Sequence, residues 1–300
     1  MYEELDAYKF DIDSINLSNN RLSKLPDLTR FTKLKVLSCY NNQLTELHNL
    51  PDSLTELYCG NNQLTELNNL PNSLTKLDCC DNQLLELSNL PNTLAELLCN
   101  KNQLTELNNL PNSLTKLYCK CNQITELSNL PNSLTKLYCE CNQITELSNL
   151  PNTITILNCY HNQLTELSNL PKILTELYCY YNQITELSNL PKTLIRLNSN
   201  NNQLTTLNNL PNTLTELYCS DNQLTKLSNL PKTLCYLDCC NNQLPFTELS
   251  KLKKLDNFIQ FFKLNKLLNV IFIYSVKKRC LKYKEELIIK SCHPSRLSFI

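Results

Sequence analysis

Residues 114–133 read L-T-K-L-Y-C-K-C-N-Q-I-T-E-L-S-N-L-P-N-S, and nearly the same twenty letters return along most of the chain. The asparagine of this stretch, Asn122, has counterparts every twenty residues from Asn42 to Asn242, with an earlier beat at Asn20. With Leu114 as position one, the alternation around Leu117 and Cys119 turns those two side chains to one side and Lys116, Tyr118 and Lys120 to the other. That period of two predicts a short strand over 116–120. Twenty residues cannot bury an apolar face alone, so successive units must stack into one column with a shared core. The inward set is Leu114, Leu117, Cys119, Asn122, Ile124, Leu127 and Leu130. Asn122 is polar, so its inward position requires backbone partners in the turns that follow the strands.

A period of about 20 residues on L-x-x-L-x-L-x-x-N-x-L is the signature of a leucine-rich repeat. The return segment, T-E-L-x-N-L-P, carries a proline in every repeat from Pro51 to Pro231, which favours extended and turn backbone over a helix. The expected fold is a repeat solenoid: a leucine-rich repeat horseshoe with a parallel β-sheet on the concave face and a largely non-helical convex side. Three regions follow. Residues 1–33 form an N-terminal cap with a divergent first repeat on Ile12, Ile15, Leu17, Asn20 and Leu22, and residues 34–245 form the array. Residues 246–300 read as a basic, mainly helical C-terminal cap or tail, because Leu249, Leu252, Leu255, Ile259 and Phe262 recur at mostly helical spacing.

Net charge is zero but split: residues 246–300 hold 12 Lys+Arg against 4 Asp+Glu, leaving 16 against 24 in the first 245. Such a split fits either a basic tail with an anionic partner or two mutually attracting surfaces. The acidic start lacks the basic and apolar regions of a secretory signal. The longest mostly apolar run, 267–276, is half the ~20 residues of a membrane span. A cytoplasmic protein with no transmembrane segment is expected.

Of 17 cysteines, ten occupy position six, from Cys39 to Cys239 in steps of twenty, with Ser199 in the one slot that breaks the series. Facing inward, each acts as a small buried hydrophobe of low reactivity. Rungs about 4.8 Å apart are wide for a disulfide, so reduced thiols are expected. Cys121, Cys141 and His161 share position eight in consecutive repeats and are the candidate zinc ligands. The competing reading is a variable surface slot, since Asn61, Asp81 and Lys101 fill it elsewhere. Rung spacing also fits a tetrahedral site poorly, so no cofactor or metal is assigned.

Tyrosine concentrates on the outward positions of the middle repeats: Tyr118, Tyr138 and Tyr178 at position five, Tyr160 and Tyr180 at position seven, with Tyr181 beside them. An apolar ring with a polar tip makes tyrosine an interface anchor, so these six are the candidate partner-binding residues. Tyrosine also simply suits strands. Position three mixes signs, as in Lys76, Glu96, Lys116, Glu176, Arg196 and Glu216, which predicts ion pairs between rungs and argues against a nucleic-acid groove. A row from Glu46 to Glu186, one per repeat, marks a solvated edge. The histidines His48, His161 and His293 lie far apart, and one glycine in the whole chain leaves no phosphate loop.

The segment L-P-N-S-L-T-K-L-Y-C-K-C-N-Q-I-T-E-L at 110–127 resembles the short leucine-rich repeats of bacterial type III effectors and, in its Leu-Pro-Asn-Ser-Leu part, the FNIP repeats of social amoebae. With Cys in the strand and Asn-Gln after it, it is most similar to repeats of amoeba-infecting giant viruses. The resemblance spans about 12–244 and implies a binding fold, working inside a cell and, for the viral likeness, an infected host cell. Some bacterial relatives add a ubiquitin-ligase domain with a catalytic Cys. The 55 residues left here are too few for it, and neither Cys280 nor Cys292 has that family's Cys-x-Asp context. The expected function is a non-enzymatic scaffold that binds a protein partner through the tyrosine-rich face. The alternative is a targeting adaptor whose basic tail engages an anionic surface or a second partner.

Overall fold

Twenty-residue spacing of leucines produces one long parallel sheet. The computed structural model describes residues 11–245. Within them twelve strands, β1 (Ser14–Asn16), β2 (Val36–Ser38) and so on to β12 (Tyr236–Asp238), pair in chain order, each with its sequence neighbours. Every pairing is parallel, and from β2 onward the register offset is one repeat, as in Leu117↔Leu137 between β6 (Lys116–Tyr118) and β7 (Lys136–Tyr138). The sequence predicts five-residue strands, but each has three. The shortening has a local cause: position eight takes a left-handed backbone, as at Cys121 with φ 54°, so the chain must leave the sheet just beyond Cys119.

The core is a column. Leu114, Leu117, Cys119, Ile124 and Leu127 are fully buried, and their counterparts in other repeats repeat the pattern. On every strand from β2 onward the middle residue is buried and its neighbours half-buried, so positions three and five form the outer face of the sheet. The return side contains no helix among the described residues; turns such as Leu134 N–H to Pro131 C=O (3.0 Å) close each unit. The helical C-terminal cap expected over 246–300 lies outside the described residues, as do residues 1–10.

The asparagine column locks the turns. Asn122 Oδ1 accepts the N–H of Leu104 in the preceding repeat (3.1 Å). Its Nδ2 donates to the carbonyls of Cys99 (3.1 Å), Cys119 (2.9 Å) and Lys120 (3.3 Å). One side chain thus pairs the Leu104 N–H and ties together backbone carbonyls of two successive rungs. Serine and threonine close the other side, as in Ser133 Oγ donating to Leu114 C=O at 2.6 Å. The cysteine column does the same more weakly: Cys119 Sγ reaches Tyr138 C=O at 3.5 Å. Ser199 keeps that bond, its Oγ donating to Tyr218 C=O at 3.2 Å, which accounts for the one break in the cysteine series.

All cysteines among the described residues are free thiols. Burial raises the position-six thiols, to about 12 at Cys39 and Cys179.

Candidate functional site

The outer face of the sheet carries two tyrosine stacks. Tyr118 and Tyr138, neighbours on β6 and β7, lie with ring centroids 4.5 Å apart and planes within 5°. Tyr160 and Tyr180, at position seven of the next two repeats, stack at 4.2 Å and 12°. In-register strands cause this, because parallel pairing puts identical positions one rung apart and flat rings fill that spacing. Burial raises the phenols of Tyr138 and Tyr180, and Glu140 raises both further. Lys120 Nζ lies 5.9 Å from the Tyr160 ring centroid, and hydrogen bonding to Tyr160 comes first among the influences that raise its pKa.

The other two candidates have different settings. Tyr178 is tied down: its hydroxyl donates to Glu176 Oε2 at 2.7 Å and accepts from Arg196 Nη1 at 3.2 Å. Arg196 in turn makes a two-pronged contact with Glu216, Nε to Oε2 and Nη2 to Oε1, both 2.8 Å. Tyr181 stands at the left-handed edge position, half exposed at 50%, tilted against Tyr180 (5.7 Å) and stacked on His161 (5.4 Å). Tyr118, Tyr138, Tyr160, Tyr178 and Tyr180 therefore share the sheet face, and Tyr181 extends it around the edge.

Cys121, Cys141 and His161 do line one edge, but they do not converge. The two thiols are neighbours, and the Cys141 thiol is pushed up to about 11, chiefly by burial and then by Cys121, whereas the His161 ring stacks on Tyr181 instead. No group of three or more His, Cys, Asp or Glu among the described residues is placed to hold a metal ion. Position eight is also more than a variable surface slot. It has positive φ in every repeat, with side chains as varied as Lys101, His161 and Tyr181, and a second left-handed residue, always asparagine, follows from Asn49 to Asn229.

Several of the mixed signs at position three form ion pairs between rungs: Glu96 with Lys116 (2.9 Å) and Lys76 (3.6 Å), and Arg196 with Glu216 and Glu176. Two open hollows of about 480 and 490 Å³ lie on the return side around Leu190, away from the tyrosines. No helix among the described residues is long and apolar enough to cross a membrane.

A parallel sheet with one strand and one buried asparagine per twenty-residue turn, and a core cysteine in most of them, defines the class: this chain belongs to the leucine-rich repeat family. Among solved structures it is similar to YopM from Yersinia enterocolitica WA-314, at 38% identity over 78% of this chain and 52% of that one, TM-score 0.73. It therefore spans about half the length of that relative. It is also similar to YopM, a leucine-rich effector protein from Yersinia pestis, at 33% identity over 77% of this chain and 78% of that one, TM-score 0.60. An internalin from Listeria monocytogenes shares the fold at 24% identity, covering 87% and 89%, TM-score 0.63. No protein-family model and no curated protein matches.

Proposed function

We propose that this chain is a non-enzymatic scaffold that binds a protein partner through the tyrosine-rich face of its sheet. Leucine-rich solenoids bind macromolecules along the extended surface their stacked strands create, which curls to become the concave side. The observation that carries the reading is the pair of ring stacks, Tyr118–Tyr138 and Tyr160–Tyr180, set on adjoining rungs of a rigid sheet. Flat aromatic rings that are already ordered lose little entropy on binding, and tyrosine is enriched among residues that dominate interface energy. The column of reduced, buried thiols suits a reducing compartment, in keeping with a cytoplasmic site.

The test is capture of partners from host-cell lysate by the intact chain and by a Tyr138→Ala, Tyr160→Ala, Tyr180→Ala variant with unchanged circular dichroism. Tyr178 is left intact because its loss would disturb the Arg196 ion pairs. A protein held by the intact chain and lost by the variant supports the reading. Equal capture by both overturns it and turns attention to the basic segment 246–300, the adaptor alternative.

A further inference from the structure

Two buried side-chain polar atoms among the described residues have no hydrogen-bond partner, Glu140 Oε2 and Asn158 Oδ1, and they sit on adjoining rungs within the tyrosine face. Asn158 lies between Tyr138 and Tyr178 in strand register, so the tyrosine row is interrupted there by a shorter side chain. Glu140 follows Tyr138 by two residues and precedes Tyr160 and Tyr180 in its own column. Glu140 is only 8% exposed.

Their lack of partners is not a property of their positions. Other position-five acceptors are used: Asn16, Asp78, Asn198 and Asp238 each accept the backbone N–H two residues on. In the column of Glu140, Asn100 and Asn200 each accept the backbone N–H of the next rung at 2.8 Å. Lys120, which attracts the Glu140 carboxyl, has its Nζ on the Tyr160 ring. Buried acceptors without donors are costly, and a guest that brings donors regains that cost on binding.

We propose that the Glu140–Asn158 notch receives an arginine side chain of the partner protein. The proposal rests on the reading that the tyrosine face is the binding surface, and names the chemistry it recognises. Both orphan atoms are acceptors, so the guest must donate; a carboxylate is one of them, so a cation fits. The flanking groups are aromatic, so a flat cation that stacks on tyrosine fits better than a compact ammonium. A guanidinium carries enough N–H groups to serve both atoms at once. The face already holds one arginine in this manner, since Arg196 donates to the Tyr178 hydroxyl and grips Glu216 with two hydrogen bonds. Both orphan atoms are shut off from solvent in the free array, so the guest parts the side chains above them.

The experiment titrates the full chain with the peptide acetyl-Gly-Gly-Arg-Gly-Gly-amide, read by tyrosine fluorescence, which the absence of tryptophan leaves unmasked. Peptides with lysine or with neutral citrulline in place of arginine run alongside, as do the variants Glu140→Gln and Asn158→Leu. Thermal midpoints verify that both variants fold. We expect binding of the arginine peptide, weakened at least ~10-fold by citrulline and by either variant, with lysine intermediate. Equal binding of the citrulline peptide, or undiminished binding by both variants, overturns the notch. A partner protein that is lost by the tyrosine variant yet kept by Glu140→Gln and Asn158→Leu also overturns it and leaves the face reading standing. Arginine-specific peptide binding beside unchanged capture by the tyrosine variant supports the notch and removes the face reading.

Discussion

Glu140 stands in a column that elsewhere holds Asn100, Lys120, Tyr160 and Ser220, and it is the one buried carboxyl on the described part of the tyrosine face. Burial raises its pKa above the ordinary 4.5, an effect the Lys120 charge and its own backbone N–H oppose. The sign for stability follows. Between its unfolded and folded pKa values the native chain holds the extra proton, so this group's contribution falls as pH rises through that window. Glu140→Gln therefore gains midpoint temperature over the parent chain as pH rises from about 4 to 7. Thermal unfolding at both pH values checks this, and an equal difference at the two refutes it. At this scale the sequence was only partly legible. Tyr118, Tyr138, Tyr160, Tyr178 and Tyr180 could be placed on one face by counting, because position sets direction in a strand. That Tyr178 is occupied by Arg196, and that Glu140 Oε2 and Asn158 Oδ1 lack partners, depends on side-chain angles that repeat position does not specify.

Each rung is a three-residue strand followed by a turn that the next rung's asparagine holds. Asn122→Ala leaves the Leu104 N–H without its partner, whereas the carbonyls of Cys99 and Cys119 keep the side-chain bonds of Asn102 and Asn142. At about 1–3 kcal/mol for a group left unsatisfied, the array should lose ~1–3 kcal/mol. Urea unfolding with an unchanged slope measures it; a loss under ~1 kcal/mol would mean that water replaces the side chain. The inward asparagine was legible because it never varies from Asn42 to Asn242. The left-handed backbone at position eight was not. Cys121, Cys141 and Tyr181 are residue types that avoid positive φ, yet each lies between 52° and 56°. Their neighbours impose it: the N–H of Cys121 bonds to Glu140 C=O at 3.0 Å and that of Tyr181 to Asn200 C=O at 3.0 Å. That conformation also ends the strand early and turns Tyr181 to the edge.

For the whole array, each strand pairs only with its sequence neighbours, the nearest-neighbour order of a solenoid. Removing residues 71–90, one full repeat, joins two compatible rungs and leaves every remaining side chain on its face. The shortened chain should keep its circular dichroism, with a modestly lower unfolding midpoint. Removing 71–80 instead deletes the strand Lys76–Asp78 with core Leu74, Leu77 and Cys79 but keeps the return segment after it, so the flanking rungs are held apart and the midpoint should fall far more. If both deletions behave alike, stability does not reside in the rung-to-rung register.

The amino-acid sequence alone determined the period, the inward leucine, cysteine and asparagine columns, the parallel register and the absence of room for helices in the return segment. All are consequences of spacing, and spacing is what a repeat preserves. Tertiary structure alone decided how long each strand runs, which edge residues are left-handed, which tyrosines stack and which are tied by hydrogen bonds, and where two acceptors remain unpaired. Those depend on contacts between residues twenty apart whose identities vary from rung to rung, so no single repeat contains them.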